Sequence, residues 1–192
     1  MPKGTTQTRL QNIAKEGSQV DIQELNYDDC VRLAAKEADE TPRGVIVQDT
    51  AWDGYEEIPA WIMQGYSTMA MEAGEQLKAQ GCERPTHIFV QAGVGSLAGA
   101  VVGYFSNLYA DNLPTFVVVE AEAAACLYKG AAAGESGAAP FGALAAMMTM
   151  DEYKDLRNDI GLDENSKVLL FSTEGDTDPD RYKNIVWKGL DK

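Results

Sequence analysis

The chain predicts an α/β fold in three layers, with a mostly parallel sheet between helices. Two observations carry that expectation. Short apolar runs rich in β-branched residues alternate with stretches whose apolar residues recur every three or four positions. One of the runs, HIFVQ, passes through the glycine-rich turn AGVGS straight into such a stretch. Strands separated by helices imply βαβ units, and parallel strands need helical crossovers that cover both sheet faces.

Taken in order, the expected strands are VDIQEL (20–25), GVIVQD (44–49), HIFVQ (87–91), TFVVVE (115–120) and KVLLFS (167–172). One helix is expected from Ile62, Tyr66, Met69, Ala73 and Leu77, and another from Leu97, Val101, Phe105 and Leu108. Residues 49–61, DTAWDGYEEIPAW, have no clear period and read as a long connection. Residues 129–142, KGAAAGESGAAPFG, are dominated by Ala and Gly and read as a flexible linker. After KVLLFS, Asp178 is placed as an N-cap and Pro179 as a first-turn residue, opening a last helix through Trp187.

Composition narrows the function. A chain of 192 residues forms one domain or two small ones, and with 45% hydrophobic and 24% charged residues it is ordinary for a globular protein. Thirty acidic against 16 basic residues give a net charge of −14, which argues against nucleic acid, whose phosphates need clustered Lys and Arg. No apolar stretch approaches the roughly 20 residues of a membrane helix, and the N-terminus shows no signal-peptide core. Cys30, Cys82 and Cys126 are odd in number and widely spaced, which fits reduced thiols, so a cytoplasmic location is expected. His87 is the only histidine and begins a strand, which argues against a histidine-based metal site or a Ser-His-Asp triad; no metal is expected.

The turn Gly93-Val94-Gly95-Ser96 aims main-chain N–H groups and the positive end of a helix dipole at one spot, a place for a phosphate without a basic side chain. By pattern alone, Gly93 to Ala98 also satisfies G-x-G-x-x-G/A, with Glu120 where a ribose-binding acid belongs, so a NAD-binding oxidoreductase domain stays open. Tight packing of a helix on a sheet produces similar glycine patterns. The ends of the strands at 44–49, 87–91 and 167–172 are expected to converge on one crevice, with Asp49, the turn and the loop 172–178 facing it.

DTAWDGYEEIPAWIMQGY, HIFVQAGVGSLAGAVVGY and LLFSTEGDTDPDRYKNIVWKG together resemble the diaminopropionate ammonia-lyase family, in the tryptophan-synthase-β group of pyridoxal-phosphate enzymes. The opening, MPKGTTQTRLQNIAKEGSQVDIQELNYDDCVRLA, is similar to part of that family's smaller domain. The resemblance implies that fold in partial form, pyridoxal 5'-phosphate as cofactor, a small amino-acid substrate and a homodimer. It implies that Gly93, Val94, Gly95, Ser96 and Leu97 clasp the cofactor phosphate through main-chain donors. It also implies that Ser172 meets the pyridine nitrogen, that Glu135 and Ser136 approach the ring, and that Asp49 meets the substrate ammonium or moves a proton.

Two departures accompany the matches. The family's Schiff-base lysine would precede Met1; nothing in 1–48 resembles its motif, and Lys3 matches a position beyond it. A long substrate-domain segment between the counterparts of Lys129 and Gly134 is missing, so an internal deletion near 130–134 is expected. Residues 1–50 then correspond to a remnant of the smaller domain and 51–192 to the cofactor-binding larger domain. The expected activity is conversion of 2,3-diaminopropionate to pyruvate and ammonia. The alternative is a catalytically incompetent cofactor-binding fragment, and the isolated chain is expected to lack turnover.

Overall fold

The computed structural model describes residues 1–120 and 138–173, which form two compact units divided between Val47 and Gln48. The first unit holds two helices, α1 (Gln7–Lys15) and α2 (Tyr27–Glu40). Each starts where a side-chain oxygen satisfies an otherwise orphaned N–H: Thr6 accepts from Arg9, and Asn26 accepts from Asp29 at 2.8 Å. Asp28 and Asp29 in the first turn of α2 add a favourable interaction with the helix dipole.

The strands expected at 20–25 and 44–49 are absent. Around 20–25 the chain runs beside its own N-terminus, with Lys3 N–H donating to Leu25 and Gln23 N–H to Met1, but these bonds never extend into a ladder. Residues 44–48 form neither helix nor strand, and Val45 and Val47 stand 68% and 69% exposed. Strand propensity expresses itself only where a neighbouring strand and a covered face are supplied, and the described ladders involve neither segment.

The second unit starts at Gln48 and is built around three parallel strands, β1 (His87–Gln91), β2 (Thr115–Val119) and β3 (Val168–Leu170), in the order β2-β1-β3. His87 pairs with both Thr115 and Val168, so the three strands start level and their C-terminal ends share one edge. The outer strands match the expected runs apart from trimmed ends. The helices of this unit are α3 (Glu57–Ala79), α4 (Ser96–Leu108), α5 (Ala139–Thr149) and the short α6 (Lys154–Asp159).

Every residue of β1 is buried, as a central parallel strand requires. Its side chains alternate between two cores. Ile88 and Val90 join Ala70 of α3, Ala98, Val101 and Phe105 of α4, and Phe171. Phe89 points the other way, to Met147 of α5 and Leu162, with Val117, Val119, Val168 and Leu170 packed around it. Helix, sheet and helix thus form the three layers expected. At the start of β1, His87 is 3% exposed, with Nδ1 at 2.8 Å from Thr86 Oγ1 and Nε2 at 2.9 Å from the carbonyl of Ile160.

Two expectations about irregular segments need correction. Within 49–61 the chain turns tightly, Trp52 and Tyr55 exchanging main-chain hydrogen bonds with their rings stacked at 4.3 Å, and helix α3 begins at Glu57. Pro59 falls in its first turns, where no intrahelical donor is lost. Within 129–142, the part from Ala139 is the start of α5, with Pro140 in its first turn and Ala139 and Pro140 buried, rather than linker. Residues 129–137, with the expected deletion, and the helix expected from Pro179 lie outside the described residues.

Candidate functional site

The site is built from the C-terminal edge of the sheet. β1 ends at Gln91, and Ala92 N–H makes a last bond to Val119 at 3.0 Å before the chain leaves the sheet. Gly95 then adopts φ 94°, a left-handed conformation that costs glycine nothing, and α4 begins at Ser96. Its first helical bond runs from Gly99 to Gly95, at 2.8 Å. The N–H groups of residues 93 to 98 therefore have no acceptor among the described residues. Gly93, Val94 and Gly95 are exposed, and no acidic residue lies in the first turn of α4. A helix start of this kind offers the dipole and the donors that an anion needs.

Asp49 reaches this helix start although no strand places it there. Ser96 is 8% exposed, and its hydroxyl donates to the main-chain oxygen of Asp49 at 2.5 Å. On the other side, Tyr66 of α3 donates to Asp49 Oδ2 at 3.3 Å, a long bond for two oxygens. Burial, and then the negative charge of Asp49 and the bond to it, raise the Tyr66 phenol above its usual range. One residue earlier, Tyr55 pins the chain: its hydroxyl accepts from Gln48 N–H at 2.9 Å and approaches the Gln48 carbonyl at 3.2 Å. Gln48 Nε2 and Thr50 Oγ1, on either side of Asp49, are buried without a hydrogen-bond partner among the described residues.

Ser172 follows β3 and is exposed on the same edge. Its neighbour Thr173 is tied to the central strand, accepting from Gln91 Nε2 at 2.7 Å, while Gln91 Oε1 is left buried and unpaired among the described residues. Glu120, at the end of β2, is exposed. Glu135 and Ser136 lie outside the described residues. Of the residues expected at the crevice, the structure thus joins Asp49 to the glycine turn directly and puts Ser172 on the same rim. Among the described residues there is no cluster of three His, Cys, Asp or Glu able to hold a metal ion, and no helix long and apolar enough to cross a membrane.

Sequence reasoning missed Tyr66, Tyr55, Gln91 and Thr173. In the sequence Tyr66 reads as one of the apolar residues of a helix face, because its ring has the period of Ile62 and Met69. A polar group closing a strand after the apolar run Ile88, Phe89 and Val90 is a signal for Gln91.

The fit of a phosphorylated cofactor rests on two features. A run of unpaired N–H groups meets the needs of a phosphate, and a side chain at Gly95 would be strained although its Cβ meets nothing within 4 Å. The buried unpaired atoms of Gln48, Thr50 and Gln91 are further polar groups that a ligand of mixed polarity can satisfy.

Residues 1–168 match the family described as pyridoxal-phosphate dependent enzyme. The chain is 39% identical to a diaminopropionate ammonia-lyase of Salmonella typhimurium, over 98% of this chain and 63% of the relative. That alignment runs over 256 positions, more than the 192 residues of the chain. Among solved structures, the holo diaminopropionate ammonia-lyase of Escherichia coli superposes with a TM-score of 0.88 at 33% identity, over 99% of this chain and 63% of that one. The same enzyme in complex with D-serine gives 0.89 at 35% identity, with the same coverage. The chain therefore spans less than two thirds of the length of the relatives it matches.

Proposed function

This chain belongs to the family of pyridoxal-phosphate-dependent enzymes, and from that premise we propose that its strand-end crevice is the cofactor and substrate site of a 2,3-diaminopropionate ammonia-lyase. The observation that carries the reading is the run of N–H groups from Gly93 to Ala98, without acceptors among the described residues, at the start of α4, with Asp49 bonded to the same helix start. Pyridoxal phosphate, when bound, supplies an electron sink that acidifies the Cα–H of an amino acid and lets a β-amino group leave.

In this reading the chain's own groups divide the work. The N–H groups of residues 93 to 98 hold the phosphate dianion. Ser172 offers the pyridine nitrogen a hydroxyl, which unlike a carboxylate does not force that nitrogen to be protonated. Asp49 attracts the second ammonium of the substrate, which keeps its protons so that it can leave as ammonia, or serves in proton transfer elsewhere on the substrate. Glu135 and Ser136 approach the ring in the family pattern. The first unit corresponds to part of the smaller domain, the second to the cofactor-binding domain, and a homodimer is the expected assembly.

A polypeptide of these residues alone is expected to bind cofactor without turning over substrate. The family's Schiff-base lysine motif has no counterpart in residues 1–48, and a nucleophilic lysine must be desolvated and aimed, so another lysine does not replace it by number. The test is titration of the chain with pyridoxal phosphate, and with NAD in parallel, following the Gly93 and Gly95 amide signals by NMR. Diaminopropionate is then added and pyruvate measured. Saturable shifts with pyridoxal phosphate and no pyruvate are expected. Tight NAD binding that depends on Glu120 would overturn the assignment, and pyruvate release together with borohydride-fixed cofactor on a lysine would overturn the predicted inactivity.

A further inference from the structure

The main chain around Asp49 is stapled twice, and neither staple is provided by a strand. Tyr55 holds Gln48 through both its N–H and its carbonyl, and Ser96 holds the carbonyl of Asp49 itself. With the backbone fixed, what remains free is rotation of the carboxylate, and Tyr66 meets one of its oxygens. Ser96 and Tyr66 come from α4 and α3, which pack so closely that a side-chain carbon at Gly99 would lie 3.2 Å from Met63 Sδ. Their separation is therefore set by helix packing and not by a loop.

The direction of the Ser96 bond carries the argument. A serine hydroxyl has a single proton, and the only acceptor with which it bonds among the described residues is the Asp49 carbonyl, which cannot donate in return. That proton is not available to a phosphate in the turn. The Ser96 N–H, by contrast, is one of the donors at the helix start without an acceptor among the described residues. Side chain and main chain of one residue thus serve two different ligand groups.

We propose that Ser96 and Tyr66 are positioning residues for Asp49: Ser96 locks its main chain to the helix start that receives the phosphate, and Tyr66 aims its carboxylate at the cationic amine of the ligand. The inference rests on the reading of Asp49 as the ammonium partner given above. It goes beyond that reading by assigning the spacing between anion and cation subsites to two hydroxyls on α3 and α4, and by taking the Ser96 hydroxyl out of phosphate binding.

The test uses the 192-residue chain labelled with 15N and with 13C at tyrosine Cζ, as wild type, Ser96→Ala, Ser96→Thr, Tyr66→Phe and Asp49→Asn. Inorganic phosphate is titrated against the Gly93 and Gly95 amides, and 2,3-diaminopropionate against the Tyr66 Cζ signal or, in Tyr66→Phe, the Asp49 amide. Ser96→Ala is expected to leave phosphate affinity within about twofold, because its N–H remains, and to weaken diaminopropionate about tenfold. Without any ligand, Ser96→Ala also moves the Tyr66 Cζ signal in the direction of Asp49→Asn, although Ser96 and Tyr66 share no bond. Ser96→Thr, which keeps the hydroxyl, restores both readouts, and Tyr66→Phe weakens only the diamine.

Loss of phosphate affinity in Ser96→Ala with the fold intact would make the hydroxyl a phosphate ligand and overturn the proposal. So would a Tyr66 signal unmoved by Ser96→Ala. If the wild type binds neither probe, the functional reading fails, while the ligand-free Tyr66 signal still decides the positioning roles.

Discussion

Gln91 Nε2 donates to Thr173 Oγ1 at 2.7 Å, joining the last residue of the central strand to the loop that leaves β3, 82 positions later. The bond holds the neighbour of Ser172 against the sheet edge. Gln91 is buried and its other amide atom is already unpaired among the described residues, so this contact is the one thing that satisfies its side chain there.

Thr173→Val keeps the shape of the side chain and removes the acceptor. The Gln91 amide is then buried with neither end paired, and a loss of about 1–3 kcal/mol is expected, read as a lower urea midpoint with unchanged slope. Pyridoxal-phosphate affinity should fall as well, since Ser172 loses its anchor. Thr173→Ser, retaining the hydroxyl, should recover most of both.

Gly95→Ala tests the turn by strain alone. The added carbon meets nothing within 4 Å, but φ 94° must be kept for the N–H groups to converge. A cost of about 1–2 kcal/mol is expected, together with weaker phosphate binding in an NMR titration. An unchanged affinity would show that the turn does not need its left-handed residue to hold the anion.

His87→Leu separates stability from binding. The ring bridges Thr86 and the Ile160 carbonyl at the N-terminal start of β1, the end of the sheet away from the glycine turn. Thermal denaturation should show a loss of about 1 kcal/mol, because the half-buried Ile160 carbonyl loses its partner while the Thr86 hydroxyl keeps its bonds with Lys167. Phosphate binding to the folded fraction should be unaffected.

Alkaline pH should act through Tyr66. Its phenol is raised above the ordinary tyrosine range, chiefly by burial and then by Asp49. A group whose folded value is raised contributes stability that is fully present below its unfolded value and is lost as pH rises through the folded value. Stability is therefore expected to decline above about pH 10, and part of that decline should disappear in Tyr66→Phe. Tyr109, also raised by burial first, contributes in the same window and should remain in that variant. In Asp49→Asn the Tyr66 Cζ titration should move toward the ordinary phenol value, since the negative charge of Asp49 is removed while burial remains.

Much of the second unit was legible in the chain before any coordinates. Local patterns decided β1, whose five residues match the expected run, and the helices carrying Tyr66 and Phe105, because a buried strand and an amphipathic helix advertise their periods. The glycine turn was equally readable, since a left-handed residue before a helix start is a local demand. Hidden at that level were the helix starting at Ala139, masked by an Ala-Gly composition, and the failure of VDIQEL and GVIVQD to become strands. Both turn on whether a distant partner exists to cover an apolar run.

Residues close together along the chain are enough to give the parallel α/β class, the glycine turn at Gly93 to Ser96 and the family resemblance. It takes the packing of distant elements to give the Ser96 hydroxyl to Asp49, to turn the Tyr66 oxygen to the same carboxylate, and to let Gln91 secure the end of β3. The reason is range. Main-chain donors and helix dipoles follow from neighbours in sequence, whereas a side-chain hydroxyl takes whatever acceptor the packing of helices and strands brings within 3 Å or so, and no local pattern records that choice.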